Sequence, residues 1–140
     1  MFLLDTNVVS ELRKAGSGKA DPDVAEWASI RSGVDLFLSA ITLLELERGV
    51  LGMERRDPIQ GAQFRRWLDH QVLPTFAGRV LPVDETVARR AAALHVPDPR
   101  PDRDALIAAT ALVHGMTVVT RNIGDFAPTG VSLLNPWRPA

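Results

Sequence analysis

The chain contains no cysteine, which removes disulfides, zinc–thiolate centres and thiol nucleophiles from consideration. It also lacks any apolar run near the roughly 18 to 20 residues needed to cross a bilayer. The opening MFLLDTNVVSEL has neither the basic leader nor the long apolar core of a signal peptide. These absences point to a cytoplasmic protein with no membrane partner. A surplus of positive charge is missing as well. Sixteen basic residues face 17 acidic ones, for a formal net charge of −1, so any footprint for nucleic acid must be local. Lysine is scarce, with only Lys14 and Lys19, and no Gly-x-x-x-x-Gly-Lys-[Ser/Thr] run exists. That excludes a P-loop enzyme. A phosphate-accepting receiver domain needs an adjacent acid pair after the first strand and a lysine after a late one, and the chain has neither.

What is present is 140 residues, 46% hydrophobic and 24% charged, the balance of one folded domain spanning positions 1–140. Apolar runs alternate with helical stretches, the pattern of an α/β protein with a parallel sheet. Strands are expected at Phe2 to Leu4, Val34 to Ser39, Val80 to Val83, Met116 to Thr120 and Val131 to Leu134. Helices are expected from Thr6 or Asn7, and over Asp23 to Ser32, Thr42 to Met53, Glu85 to His95 and Ala105 to His114. Pro58 to Phe76 reads as a long helix or a helical hairpin. Asp84 suits an N-cap, Gly115 a C-cap, and the proline-rich Val96 to Pro101 a loop.

Several acids stand where strands end or helices begin. Asp5 follows a buried strand directly, at a strand end where ligands bind, although taken alone an acid there is more often a helix N-cap. Glu45 lies among Leu43, Leu44 and Leu46. Its spacing from Thr42 fits a capping box, but a buried carboxylate also requires a partner, and either a metal ion or an arginine would serve. Asp104 opens an otherwise apolar helix that it or Asp102 could cap. Thr120, Asn122 and Asp125 follow the strand before them, in a stretch that also reads as a turn. Carboxylates gathered on one rim repel unless a cation joins them. Oxygen ligands alone select a hard ion, Mg²⁺ or Mn²⁺, which can activate water against a phosphodiester. His70, His95 and His114 have no metal-ligand spacing and read as structural or solvent-facing. Trp27 and Trp67 lie on apolar helical stripes and, with Trp137, read as core rather than stacking platforms. Arg100, Arg103 and Arg121 are candidate phosphate contacts at the rim.

Taken together, these segments resemble a PIN domain, specifically the VapC-type toxins and the FitB-like subgroup. MFLLDTNVVSEL matches the opening motif, LSAITLLELERGV the second, and DALIAATALVHGMTVVTRNIGDF the third and fourth; FAGRVLPVDETVA and NPW also look familial. The resemblance implies a three-layer α/β/α sandwich around a parallel sheet of four to five strands. It implies Mg²⁺- or Mn²⁺-dependent cleavage of RNA, with Asp5, Glu45 and Asp104 as metal-binding acids and Asp125 as the fourth. Asn7, Ser10, Ser39, Thr120 and Asn122 become polar supports. Some members carry an acid where Asn122 stands. The implied partners are a homodimer mate, a VapB-type antitoxin covering the site, and operator DNA reached only through that antitoxin. The alternative is a chain of the same fold that acts mainly as an antitoxin-bound transcriptional autoregulator, with little or no cleavage.

Overall fold

In a computed structural model that describes residues 1–137, five strands form a parallel sheet: β1 (Phe2–Leu4), β2 (Leu36–Ser39), β3 (Val80–Leu81), β4 (Thr117–Val119) and β5 (Leu133–Leu134). Their order is β3-β2-β1-β4-β5, and every neighbouring pair is parallel. Strand order therefore reverses beside β1, the place where open α/β sheets bind ligands at the carboxyl ends of their strands.

Alternation along each strand divides the core in two. Leu4, Leu36, Leu38 and Val119 point to one face, where they meet Val8 and Val9 of α1 (Thr6–Leu12) and Val24 and Trp27 of α2 (Pro22–Ser29). Leu46 and Val50 of α3 (Ala40–Arg56) complete that layer, together with Leu68, Val72 and Phe76. Leu3 and Val118 point to the opposite face, against Ile107, Ala108 and Ala111 of α7 (Asp102–His114) and Phe126 of α8 (Ile123–Phe126). Outside α7 lies α6 (Glu85–Leu94), joined to it through Val87, Ala91, Ala105 and Ala109. The small side chains there let the two helices approach closely. The expected three-layer arrangement and five-stranded parallel sheet are both present.

The differences from the sequence reading have local causes. The segment from Pro58 is one continuous helical path rather than a hairpin: α4 (Pro58–Trp67), a π-turn over Leu68–Val72, and α5 (Leu73–Thr75). The π-turn absorbs an extra residue while Leu68 and Val72 stay turned to the core. Helix α3 starts at Ala40, earlier than Thr42, because Ser39 is its N-cap: the hydroxyl accepts the N–H of Ile41 at 3.0 Å. The capping-box reading of Thr42 and Glu45 is thereby overturned. Helix α7 likewise starts at Asp102, and neither Asp102 nor Asp104 caps it. Pro101 holds the N-cap position without a side-chain bond, which puts both acids in the first turn. Asp84 and Gly115 cap as expected; Gly115 closes α7 at φ 67°, a conformation that favours glycine. Residues Ile123–Phe126, read as turn, form α8, anchored by the wholly buried Phe126.

Candidate active site

Asp5 leaves the end of β1 and enters α1, so it occupies the sheet edge next to the reversal of strand order. The side chain is wholly buried. One oxygen, Oδ1, accepts the N–H of Thr6 at 2.8 Å; the other, Oδ2, accepts the hydroxyl of Thr120 at 2.8 Å. Capping and site membership, which compete when Asp5 is taken alone, coexist here.

Glu45 reaches the same place from the second turn of α3. It accepts the hydroxyl of Thr6 at 2.5 Å through Oε1. Helix α7 runs back along the sheet before β4, so its beginning, not its end, lies at the carboxyl edge. Asp104 is therefore delivered beside Asp5, and it is nearly buried.

Between the three carboxylates lies the guanidinium of Arg103. Its Nε donates to Glu45 Oε2 at 2.6 Å, its Nη1 to Asp104 Oδ1 at 2.9 Å, and its Nη2 to Asp5 Oδ1. Burial alone would favour the neutral form of Arg103, but the bonds to Glu45, Asp5 and Asp104 outweigh it and hold the group still more firmly charged than usual. Glu45 is only partly buried, not enclosed as its leucine neighbours suggest, and of the two partners considered for it, metal or arginine, the structure displays the arginine. Arg103, a candidate phosphate contact at the rim by sequence, is instead the hub of the cluster.

The supporting residues form a second network. Thr120 is buried; besides donating to Asp5, its hydroxyl accepts the N–H of Asn122 at 2.9 Å and the side-chain amide of Asn7 at 3.5 Å. Asn7 Oδ1 also accepts the N–H of Arg121 at 3.4 Å, tying α1 to the loop after β4. Ser39 acts on the site through α3, which it caps and which carries Glu45. Over the cluster opens a cleft of about 690 Å³, whose lining includes Ser10, Asn122 and the exposed Asp125. Asp125 makes none of the bonds to Arg103, and so stands on the wall of the site rather than at its centre.

Glu11, Lys14, Arg121 and Trp137 also line this cleft. Trp137 packs, partly buried, against the core as expected, and it also lines the opening, where the Arg121 guanidinium lies 5.3 Å from its ring centre. Only their convergence in space distinguishes Trp137 from the other tryptophans, and its spacing in the sequence carried no such signal. Arg100 is used elsewhere: its Nε donates to the carbonyl of Leu94 at 2.6 Å, pinning the loop before α7. His95 belongs to the same loop, 3.3 Å from Asp102, and His70 and His114 are exposed.

The donor set at the centre is all carboxylate and hydroxyl oxygen, which suits a hard divalent cation. Among the described residues no three acidic or histidine side chains stand as a ready-made metal cage. Each carboxylate is instead aimed at a different nitrogen of Arg103.

The family model described as "PIN domain" matches residues 2–128. The chain belongs to the PIN-domain family. It is 40% identical over 147 residues to "VapC ribonuclease Y4jK" of Sinorhizobium fredii, an alignment covering 100% of both chains. It is 38% identical to "Toxin FitB" of Neisseria gonorrhoeae, covering 98% of this chain and 99% of that one. The crystal structure of FitAcB from Neisseria gonorrhoeae superposes with a TM-score of 0.90 at 36% identity, covering 99% of this chain and 100% of the other. The chain is thus a PIN domain of the VapC and FitB kind, and its acids occupy the carboxyl edge of a PIN sheet.

Proposed function

We propose that this protein is an endoribonuclease toxin of a toxin–antitoxin pair, hydrolysing RNA phosphodiesters with Mg²⁺ or Mn²⁺. The observation that carries the reading is the convergence of Asp5, Glu45 and Asp104 on one cation position beneath an open cleft, in a chain 40% identical to a VapC ribonuclease. Those three carboxylates would hold the ion, with Asp125 joining from the cleft wall directly or through water. When bound, the ion supplies an activated water and a counter-charge for the leaving oxygen.

The chain's own residues do the rest. Thr120 fixes the rotamer of Asp5, and Thr6 fixes that of Glu45, so the carboxylates hold their positions without rearrangement. Asn7 and the backbone of Asn122 steady the loop that leads into α8, the helix that bears Asp125. Lys14 and Arg121 on the cleft wall offer charge to the RNA phosphates flanking the scissile bond. No serine, threonine or histidine is assigned as nucleophile; on this reading the attacking oxygen is water's. Residues 1–140 act as one domain in the cytoplasm, as a homodimer that can build into a larger assembly. A VapB-type antitoxin covers the site and carries the pair to operator DNA.

A purified chain freed of antitoxin should cut total RNA with Mn²⁺ or Mg²⁺ and lose that activity in excess chelator. Asp5→Asn and Asp104→Asn should be inactive with unchanged circular dichroism. Cleavage retained by both variants would sink the assignment. One feature favours a second reading: with Arg103 occupying the three acids, the chain serves mainly as an antitoxin-bound regulator with little cleavage. RNA left intact at every metal concentration would support it.

A further inference from the structure

Arg103 is out of place by the ordinary rules for helices. It is the second residue of α7, at the positive end of the helix dipole, where a cation is disfavoured. What holds it there is the carboxylate cluster, which takes up three of its nitrogens through Asp5 Oδ1, Glu45 Oε2 and Asp104 Oδ1. The second oxygens of Asp5 and Glu45 already accept the hydroxyls of Thr120 and Thr6, so a divalent ion held by those side chains competes for the oxygens that Arg103 holds. Ion and guanidinium therefore compete for the same oxygens of Asp5 and Glu45.

The charges are also unequal. One guanidinium set against three carboxylates leaves an excess of two negative charges, which a divalent ion offsets better. Arg103 is placed to leave. Its side chain is 31% exposed and lines the cleft, whereas Asp5 lies wholly buried beneath it. Withdrawal toward solvent gives up the hydrogen bonds to Glu45, Asp104 and Asp5.

We propose that Arg103 is a built-in counter-cation: it occupies the carboxylate cluster of the metal-free chain and is expelled into the cleft when a divalent ion binds. This rests on the reading of the acids as metal ligands, and adds that metal affinity is set by an exchange. Arg103 partly offsets the charge of the three acids and keeps them correctly spaced while no ion is present. It also raises the metal concentration at which the site fills. Once displaced, it faces the same opening as Lys14 and Arg121. It is a positioning residue, acting through the carboxylates that it releases.

Two measurements on the full chain test this. Calorimetric titration with MnCl₂ should give one tight site in Arg103→Gln with an affinity at least about tenfold above wild type, corresponding to about 1.4 kcal/mol. Arg103→Lys, a point charge that cannot bridge three carboxylates, should fall between. If Arg103→Gln fails to fold, the wild type carries the test through its arginine Nε–H resonances under Mg²⁺. The Arg103 signal should move or exchange away at saturation. That of Arg65, held by Glu47 and Glu54 on another surface, should stay and serves as the control. An unmoved Arg103 signal at saturating Mg²⁺, or an affinity in the glutamine variant no greater than wild type, overturns the exchange and leaves the metal reading standing. Failure of every form to bind either ion overturns both.

Discussion

Thr120 donates its hydroxyl to Oδ2 of Asp5 at 2.8 Å, a bond between two wholly buried side chains 115 positions apart. It ties the ends of adjacent strands β1 and β4 together where strand order reverses. Asp5 has no solvent to replace that donor. Thr120→Val keeps the shape and removes the hydrogen bond, so it should lower stability by about 1–3 kcal/mol in denaturant melts. Thr120→Ser should recover most of the loss. Equal midpoints for wild type and Thr120→Val would show that the bond is not holding Asp5.

The hairpin of α3 and α4 predicts a response to acid. Arg65 hydrogen-bonds Glu47 at 2.6 Å and holds its carboxyl below the ordinary value of 4.5, against the opposing pull of burial. The folded state thus favours ionised Glu47. Its contribution is complete above 4.5 and drains away as pH falls through the lowered folded value. Glu47→Gln should therefore be less stable than wild type at neutral pH, by a small amount because the pair is open to solvent. The gap should close in urea melts as the pH is taken below 4.5. A gap that widens in acid would contradict the pairing.

Where the same two helices cross, Gly61 is packed against the backbone of Glu54. A Cβ added there would stand 2.4 Å from the Glu54 Cα, so one helix has to move. Gly61→Ala should cost about 1–3 kcal/mol or more, through overpacking rather than helix propensity, which favours alanine. A thermal melt distinguishes the two, because propensity alone would raise the midpoint.

On the cleft wall, Arg121 is exposed and its guanidinium lies over Trp137. Its side chain touches none of the central carboxylates. Arg121→Ala should raise KM for RNA severalfold, as loss of a phosphate contact does, while leaving kcat and the melting temperature near wild type. A fall in kcat with KM unchanged would move Arg121 into the chemistry.

Much of this architecture is legible in the residues. Phe2 to Leu4, Leu36 to Ser39 and Thr117 to Val119 are short apolar segments between helical stretches, and their alternation decides which face each side chain joins. The order of the strands is not legible, because it depends on contacts between residues far apart in the chain. Boundaries slip where the capping residue differs from the expected one, as with Ser39 before α3 and Pro101 before α7. Helix α8 escapes because Ile123, Gly124 and Asp125 carry turn chemistry, and only the burial of Phe126 makes them a helix.

The site is legible in part for the same reason. A charge at Glu45 amid leucines announces a missing partner. That partner lies 58 positions away in Arg103, a distance no local pattern spans. Arg103 beside Asp104 looks like an ordinary surface pair until Asp5 and Glu45 arrive from two other elements. Trp137 is likewise silent until the chain folds back and sets it against Arg121.

The activity proposed for this carboxylate cluster is RNA cleavage. Its most direct test is to induce the chain without antitoxin in a bacterial host, beside Asp104→Asn, and map new RNA ends across the transcriptome. The expected result is a set of ends confined to one RNA or a few, present with the wild type and absent with the variant at equal protein level. The same RNA ends from both proteins, stably expressed, would contradict it.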